Sequence, residues 1–288
     1  MRSETIAIEG LSAIAERFDH VLLDQWGTLH EGGKVFPAAQ ECMDRLRNAG
    51  KRVVILSNSG RRARNNAERL TELGLPPSTY DDILTSGEVT WHGLRSRTRK
   101  PFTDLGRSCF LITRGADRSI VDGLDLAITD DVQKASFILL GGLDDDFAEP
   151  ESWRGCLSLA KARRVPMLCA NPDLKMFGRT GLIPAPGALA RFYEELGGIV
   201  TYIGKPHAPI FEAVLERLGR PAPGRVLMVG DSVDHDIAGA HAAGMLTLLL
   251  SSGVHRDLLT TRDVAAATRR LAGSPARVPN WTMDHLAW

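Results

Sequence analysis

Short, continuous apolar runs alternate with amphipathic stretches along most of the chain. Residues 21–23 and 53–56 are such runs, and each leads into a polar loop. Continuous apolar character is typical of strands that are covered on both faces of a parallel sheet. Residues 208–219 follow a helical spacing instead, with one apolar stripe and a glycine at the end. This order of strands and helices predicts an α/β fold with right-handed crossovers.

The middle of the chain contains a second set of strand-like runs. These are residues 109–113, 135–142 and 165–171, with a helix candidate at 153–164. The parallel pattern of the first part then resumes with the apolar run that ends at Lys205. We therefore predict a discontinuous core domain, residues 1–88 plus 186–288, that is interrupted by an inserted α/β domain at residues 89–185.

Composition narrows the classes of function. The 288 residues are enough for two domains, and the apolar (43%) and charged (24%) contents are ordinary for a globular protein. Lys plus Arg and Asp plus Glu both count 35, which gives no support for a nucleic-acid or anionic-membrane partner. No apolar run approaches the roughly 18 residues of a membrane span. The four cysteines form no CxxC pair, and we expect a cytoplasmic protein.

Four of the predicted core strands end in polar residues. These are Asp24, Ser57-Asn58-Ser59, Lys205, and Asp231 with Asp236. Loops at the carboxyl ends of parallel strands share one crevice, so these residues can meet there. Carboxylates are ligands for Mg²⁺, a lysine neutralises phosphate, and hydroxyl and backbone N–H groups bind further phosphate oxygens. Because an aspartate can also act as a nucleophile through an aspartyl-phosphate, the pattern indicates phosphoryl transfer.

Each of these residues also has a simpler explanation. Asp24 can be a turn or capping residue, and Ser57-Asn58-Ser59 can be an ordinary cap of the helix that follows. Lys205 can be a surface lysine, and Asp236 can favour a helix N-terminus through its charge. Their order and their shared position at strand ends favour the joint functional interpretation.

The same residues resemble the motifs of the haloacid dehalogenase (HAD) superfamily. The first motif is similar to Asp24-Gln-Trp-Gly-Thr, the second to Ser57-Asn58, the third to Lys205-Pro206, and the fourth to the stretch from Gly230 to Asp236. Residues 169–198, 204–219 and 230–245 further resemble class IIA, which contains NagD-like, p-nitrophenyl-phosphatase-like and pyridoxal-phosphatase-like enzymes. That class carries a cap between its second and third motifs. The resemblance implies a Rossmann-like parallel-sheet core with an inserted α/β cap of the class IIA type.

The resemblance also implies a role for each matching residue. Asp24 is the nucleophile. The implied Mg²⁺ ligands are Asp24, Trp26 through its backbone carbonyl, Asp231 and, through water or by way of Lys205, Asp236. The phosphoryl group is held by Ser57, Asn58, Ser59 and Lys205. Asn171 and Asp173 match a cap segment that faces the active site, although a structural Asx-turn explains this pair equally well.

Trp26 departs from the pattern of the phosphatases. They normally carry a second aspartate here, which protonates the leaving alcohol and then activates water. Such help is typically worth about 10² to 10⁴ in rate. An indole N–H is only a donor and does not titrate. His30, Glu31 and His207 are nearby candidates for the missing acid, and a loop or surface role explains each of them as well.

Three functions are compatible with this departure. The first is a Mg²⁺-dependent phosphatase of a small phosphorylated metabolite that is slow or favours good leaving groups. The second is a dehalogenase-type hydrolase that uses Asp24, since such enzymes carry an aromatic Tyr at the position of Trp26; they need no metal, however, and lack this fourth motif and cap. The third is a non-catalytic module that binds a phosphorylated ligand or a protein, although such a module need not keep a nucleophile. We expect the phosphatase, and the resemblance allows a homodimer.

Overall fold

The computed structural model describes residues 5–178, 181–259 and 264–288. Its contacts divide the chain into two compact units. The first contains the chain up to Ser57, Ala67–Leu84 and the chain from Lys205 onward. The second contains Asn58–Asn66 and Thr85–Gly204. Within the described residues, none of the helices combines the length and the apolar character that crossing a membrane requires.

Strands and helices alternate through both units. In chain order, the strands are β1 (Ile6–Ala7), β2 (His20–Leu23), β3 (Arg52–Ser57), β4 (Asp82–Thr85), β5 (Ser108–Ile112), β6 (Ala127–Thr129), β7 (Phe137–Leu140), β8 (Met167–Cys169), β9 (Lys175–Gly178), β10 (Gly181–Pro184), β11 (Val200–Tyr202), β12 (Val226–Gly230), β13 (Leu246–Leu250) and β14 (Trp281–Met283). The α-helices are α1 (Pro37–Asn48), α2 (Ala63–Glu72), α3 (Ser86–Ser96), α4 (Arg154–Ala162), α5 (Pro186–Glu195), α6 (Ala208–Arg217), α7 (Ala238–Ala242), α8 (Arg256–Leu259) and α9 (Val264–Ala272).

The first unit is built on a seven-stranded sheet in the order β1-β14-β13-β12-β2-β3-β4. Strand β2 pairs in parallel with both β3 and β12, and its residues Val21, Leu22 and Leu23 are fully buried. The chain moves outward from β2 to β4 and returns to β12 on the other side of β2. The strand order therefore reverses between β2 and β12, which is where open α/β sheets form a ligand-binding crevice at the carboxyl ends of their strands. The predicted parallel α/β fold is confirmed.

The second unit has its own parallel sheet, in the order β11-β8-β7-β5-β6. A separate antiparallel hairpin consists of β9 and β10. Strand β7 is fully buried, and α5 packs on the same core through Tyr193, whose hydroxyl donates to the carbonyl of Val165 at 2.6 Å. This unit is the α/β insertion that the middle of the sequence predicted.

The return from the second unit to the first differs from the predicted boundary. We placed the core again from residue 186, but α5 and β11 belong to the second unit. The reason is pairing, since Val200 of β11 lies in register with Met167 of β8. The chain re-enters the first unit at Lys205. A short segment, Asn58–Asn66, also belongs to the second unit although it precedes the predicted insertion.

Candidate active site

Asp24 lies directly after β2, at the crevice between β2 and β12. Its N–H donates to the carbonyl of Val229 at 2.9 Å, so the sheet still holds the backbone at this residue. The Asp24 side chain is 15% exposed. The buried strand thus delivers one partly accessible carboxylate to the point where the strand order reverses.

A buried lysine joins two carboxylates at this point. The Nζ atom of Lys205 donates to Asp24 Oδ1 at 2.6 Å and to Asp236 Oδ1 at 2.7 Å, and the lysine side chain is 2% exposed. Asp236 lies in a single π-helical turn, Val233–Ile237, and its second oxygen accepts the N–H of Ser232 at 3.1 Å. Three residues that are distant in the sequence therefore form one network, as their shared position at strand ends predicted.

Asp231, directly after β12, completes the cluster. Its Oδ2 accepts the N–H of Val254 at 2.8 Å. Glycines allow this arrangement, because a Cβ at Gly27 would lie 2.1 Å from Asp231 Oδ2 and a Cβ at Gly253 would lie 2.1 Å from Asp231 Cβ. Gly27 also has a positive φ of 75°, which favours glycine. Two loops therefore approach the Asp231 carboxylate more closely than any other residue type permits.

The electrostatics of the cluster follow from its burial. Burial raises the pKa of Asp24 to about 6, although the Lys205 ammonium acts in the opposite direction. Burial also raises the pKa of Asp231 well above its ordinary value, and the charges of Asp24 and Asp236 add to that rise. For Lys205, burial alone lowers the pKa, but the two adjacent carboxylates outweigh it and the pKa is raised. The cluster therefore holds a charged lysine beside two carboxyl groups that lose their protons less readily than ordinary aspartates do.

These residues fit a divalent metal ion. Asp24, Asp231 and Asp236 each offer a carboxylate oxygen, and these oxygens all lie within 4.8 Å of one another. When all three carboxylates are ionised, one ammonium balances one of the three negative charges, and a bound cation favours that ionised form. Hard cations such as Mg²⁺ and Ca²⁺ take oxygen ligands and are bound by carboxylates. The donor set and the remaining negative charge therefore suit Mg²⁺, and they do not suit a metal that prefers sulfur ligands.

The loop after Asp24 is shaped around Trp26. The indole is 42% exposed, and its ring lies 5.5 Å from the ring of His30 in an edge-to-face arrangement with an interplanar angle of 81°. Gly32 has a φ of 88°, and a Cβ there would lie 2.6 Å from Trp26 Cη2. The loop thus contains a glycine where any side chain would collide with the indole.

His30 supports this loop through both ring nitrogens. The N–H of Gly32 donates to His30 Nδ1 at 2.9 Å. The proton of the neutral ring is then on Nε2, which lies 3.2 Å from Gln25 Nε2. Both of these nitrogens carry hydrogens, so a hydrogen bond here requires the Gln25 amide to be turned so that its buried Oε1 accepts from His30. Burial lowers the pKa of His30, which favours that neutral form. His30 is 4% exposed, so its ring packs within the loop and does not face solvent.

The other two candidates for the missing acid are Glu31 and His207. Glu31 is exposed, and its carboxylate lies 3.3 Å from the guanidinium of Arg256. His207 is half-buried and immediately precedes α6. A catalytic role for either residue stays a prediction.

The loop after β3 contains Ser57 and Ser59, two of the predicted phosphate ligands. Ser57 is the last residue of β3 and is 7% exposed. Ser59 Oγ accepts hydrogen bonds from Asn66 Nδ2 at 3.1 Å and from the N–H of Arg61 at 3.3 Å. Ser59 therefore stabilises its own loop and holds the Asn66 side chain of α2. The helix is capped by another residue, since the N–H of Ala63 donates to Glu88 Oε2 at 3.0 Å. Phosphate binding by these serines stays a prediction.

Three predicted residues of the second unit, Asn58, Asn171 and Asp173, are linked through Asp173. The Nδ2 of Asn58 donates to Asp173 Oδ1 at 2.8 Å. Asn171 Oδ1 accepts the N–H of Asp173 at 3.1 Å, which is the Asx-turn that the sequence offered as an alternative. Asn171 thus shapes the turn and Asp173 holds Asn58. Contact of this pair with a substrate stays a prediction.

Comparisons with known proteins agree with this geometry. Residues 21–127 match the family model described as haloacid dehalogenase-like hydrolase, and residues 202–281 match the model described as HAD-hydrolase-like. A hydrolase of the haloacid dehalogenase-like family from Brucella suis 1330 has a solved structure that is 32% identical, with a TM-score of 0.81, over 97% of this chain and 99% of that one. The chain belongs to the haloacid dehalogenase-like hydrolase family.

Curated relatives of this HAD chain extend over most of its length. Chronophin from Bos taurus is 30% identical, and the match covers 88% of each chain. Dihydroxyacetone phosphatase from Corynebacterium glutamicum (strain R) is 27% identical, over 91% of this chain and 89% of that protein. The HAD chain is a class IIA member, with its insertion between the second and third motifs as the sequence predicted.

Sequence reasoning missed several parts of this HAD site. The N–H of Val254 and the glycine before it contact Asp231 from the loop after β13. A backbone donor leaves no side-chain signature, and the only available signal was the Ser-Ser-Gly that follows an apolar run at residues 246–250. The pairing of Gln25 with His30 was also missed, because a buried amide in a loop has no distinctive spacing.

Proposed function

We propose that the protein is a Mg²⁺-dependent phosphatase that acts on a small phosphorylated metabolite through an aspartyl-phosphate on Asp24. The observation that carries this proposal is the network in which Lys205 bonds Asp24 and Asp236, beside Asp231. Burying one lysine together with three converging carboxylates is costly for the fold. The cluster suits the binding of a cation together with a phosphoryl group.

Each residue of the site would have its own role in the proposed reaction. Mg²⁺, when bound by Asp24, Asp231, the carbonyl of Trp26 and Asp236, would supply positive charge that stabilises the phosphoryl oxygens. Lys205 holds the Asp24 carboxylate in place by a hydrogen bond, which orients the nucleophile, and its ammonium offsets negative charge on the phosphoryl group. We assign Ser57, Asn58 and Ser59 to the remaining phosphoryl oxygens, and Asn171 and Asp173 to the substrate side.

The names of two relatives support a small phosphorylated metabolite as the class of substrate. One of them is named a dihydroxyacetone phosphatase and another a D-glycerol 3-phosphate phosphatase. A small phosphorylated metabolite is therefore the substrate class we propose, without nucleic acid or membrane as a partner. A cytoplasmic location, which the unpaired cysteines support, and a homodimer stay predictions.

The test is Mg²⁺-dependent phosphate release from p-nitrophenyl phosphate, glycerol 3-phosphate, dihydroxyacetone phosphate and acetyl phosphate. We expect turnover that is lost in EDTA and in Asp24→Asn. Asp19→Asn is the matched control, since Asp19 lies at the opposite end of β2, where it pairs with Arg225 at the surface. Activity in this control shows that the loss in Asp24→Asn is specific to the site.

The same experiment separates the two other functions. Halide release from a 2-haloacid that persists in EDTA would support the dehalogenase, which the three-carboxylate cluster does not favour. Binding of phosphorylated compounds without turnover would support a non-catalytic module. Absence of phosphate release from every ester and from acetyl phosphate, with Mg²⁺ present, would refute the phosphatase.

A further inference from the structure

A buried carboxylate of the second unit, that of Glu88, lies at the N-terminus of helix α2. Its Oε2 accepts the N–H of Ala63, the first residue of α2, at 3.0 Å. The same carboxylate accepts Nε and Nη2 of Arg62 at 2.7 and 3.1 Å, and His92 Nε2 lies 3.1 Å from its Oε1. Burial raises the pKa of Glu88, but hydrogen bonds from Arg62 and Ala63 outweigh it and the pKa is lowered. An internal anion therefore occupies the place where a helix can bind the anion of a ligand.

Arg62 is held on a second side by an aromatic ring. Its Cζ lies 3.7 Å from the centroid of the Trp91 ring, and Trp91 Nε1 donates to the carbonyl of Asp122 at 2.8 Å. A planar guanidinium that is both paired with a carboxylate in a fork and stacked on an indole has little freedom to move. Arg62 therefore fixes the chain directly before α2 to helix α3, which carries Glu88 and Trp91.

The start of α3 also holds the backbone of residues 58–62, which we call the phosphate loop. The carbonyl of Ser59 accepts the N–H of Gly87 at 3.0 Å. The carbonyl of Arg61 accepts the hydroxyl of Thr85, the N-cap residue of α3, at 2.6 Å. A glycine is required at position 87, since a Cβ there would lie 2.2 Å from the carbonyl oxygen of Gly60. The phosphate loop thus packs directly on the first turn of α3.

We propose that Glu88 is a positioning residue, which fixes Asn58 and Ser59 of the phosphate loop by holding Arg62 and the N-terminus of α2. This proposal rests on the phosphatase function and on the phosphate-binding roles proposed above. The N–H of Ala63 is already bonded to Glu88, so the phosphoryl group depends on the loop before it. Such a loop binds well only when its groups are held within about 0.5 Å of the productive geometry.

The test is the affinity for inorganic phosphate in saturating Mg²⁺, measured by calorimetry, together with KM for p-nitrophenyl phosphate. Glu88→Gln keeps the size of the side chain but offers one carbonyl oxygen in place of two carboxylate oxygens. We expect the Kd and the KM to rise by at least about tenfold, since misplacement by about 1 Å can cost about 10²-fold. The Mg²⁺-induced shift in melting temperature without phosphate should not change, because the three metal-binding carboxylates belong to the first unit.

Glu151→Gln is the matched control. Glu151 accepts Nε and Nη2 of Arg154 in the same forked arrangement and in the same unit, but both side chains are exposed. This variant should keep the wild-type Kd and KM. All affinities are compared at a temperature at which circular dichroism shows every variant to be folded.

A double variant separates positioning from stability. Glu88→Gln leaves the charge of Arg62 without its counter-charge, which also destabilises the fold. Combining Glu88→Leu with Arg62→Met removes both charges and places a thioether beside the Trp91 ring, a contact that is favourable. We expect this double variant to melt at a higher temperature than Glu88→Gln and still to bind phosphate at least about tenfold more weakly than the wild type.

The outcomes distinguish the two proposals. A Kd that does not rise in Glu88→Gln, that rises equally in Glu151→Gln, or that returns to the wild-type value in the double variant would overturn the positioning role and leave the phosphatase intact. A wild type that binds phosphate but releases none from any ester would overturn the phosphatase, while the Kd values still decide the role of Glu88. A wild type that neither binds nor releases phosphate would overturn both.

Discussion

Replacing Asp24 by asparagine should stabilise the metal-free protein, although it removes the proposed nucleophile. In the folded protein, burial raises the pKa of Asp24 from 3.8 to about 6. The folded state therefore binds this proton more tightly than the unfolded state does. Stability falls as pH rises from about 4 to above 6, and the full cost is present at pH 7.5. A shift of about 2 pKa units corresponds to about 3 kcal/mol.

The asparagine introduced by Asp24→Asn would mimic the neutral acid and keep an oxygen that can accept from Lys205. In EDTA at pH 7.5, we expect Asp24→Asn to exceed the wild type in free energy of unfolding by up to about 3 kcal/mol. At pH 5 the difference should shrink to about half of that, because the wild-type carboxyl is then largely protonated in the folded state. Thermal melts and urea titrations at pH 7.5, 6.25 and 5 measure this difference.

Magnesium at saturating concentration should reverse the order of stability. A ligand at 1,000 times its Kd stabilises by about 4.1 kcal/mol, which exceeds the difference of about 3 kcal/mol, and this gain belongs to the wild type, which retains all three carboxylates. In Asp24→Asn the gain should be much smaller. A metal-free Asp24→Asn protein that is less stable than the wild type at pH 7.5, or a difference that does not change with pH, would refute the electrostatic reasoning.

Two further pairs of variants test the cluster. Asp236→Asn should destabilise the protein by about 3 to 5 kcal/mol in thermal or urea unfolding, because it breaks a buried ion pair, whereas Asp234→Asn, an exposed carboxylate in the same turn, should change stability by less than about 0.5 kcal/mol. Equal effects would contradict this. Gly253→Ala should reduce the Mg²⁺-induced shift in melting temperature, because its Cβ would displace Asp231, whereas Gly33→Ala, which meets nothing within 4 Å, should keep the shift. A full shift in both would show that Asp231 does not hold the metal.

The strands and the acidic cluster could be predicted because both have strong local signatures. The apolar run at residues 21–23 became the fully buried strand β2, and the carboxylate after it met Lys205 and Asp236. The physical reason is the parallel sheet, which brings the carboxyl ends of distant strands to one edge. Position at a strand end was therefore enough to predict proximity.

Strand pairing and backbone contacts could not be predicted in the same way. The run at Val200–Tyr202 has the same apolar character as a core strand, and only its register with Met167 assigns it to the second unit. The sequence predicted Ser59 as a phosphate ligand; its hydroxyl accepts from Asn66 of α2, and phosphate binding stays a prediction. Sequence spacing cannot distinguish such local bonds from ligand contacts, because the same hydroxyl can make either.

The packing of Trp26 against Gly32 couples these two positions of the loop. With the present backbone, a Cβ at position 32 would lie 2.6 Å from the indole. A substitution at Gly32 would therefore turn the exposed indole away from its present position, and the φ of 88° would strain the new residue as well. A smaller side chain at position 26 removes the contact but leaves the backbone requirement for glycine at position 32.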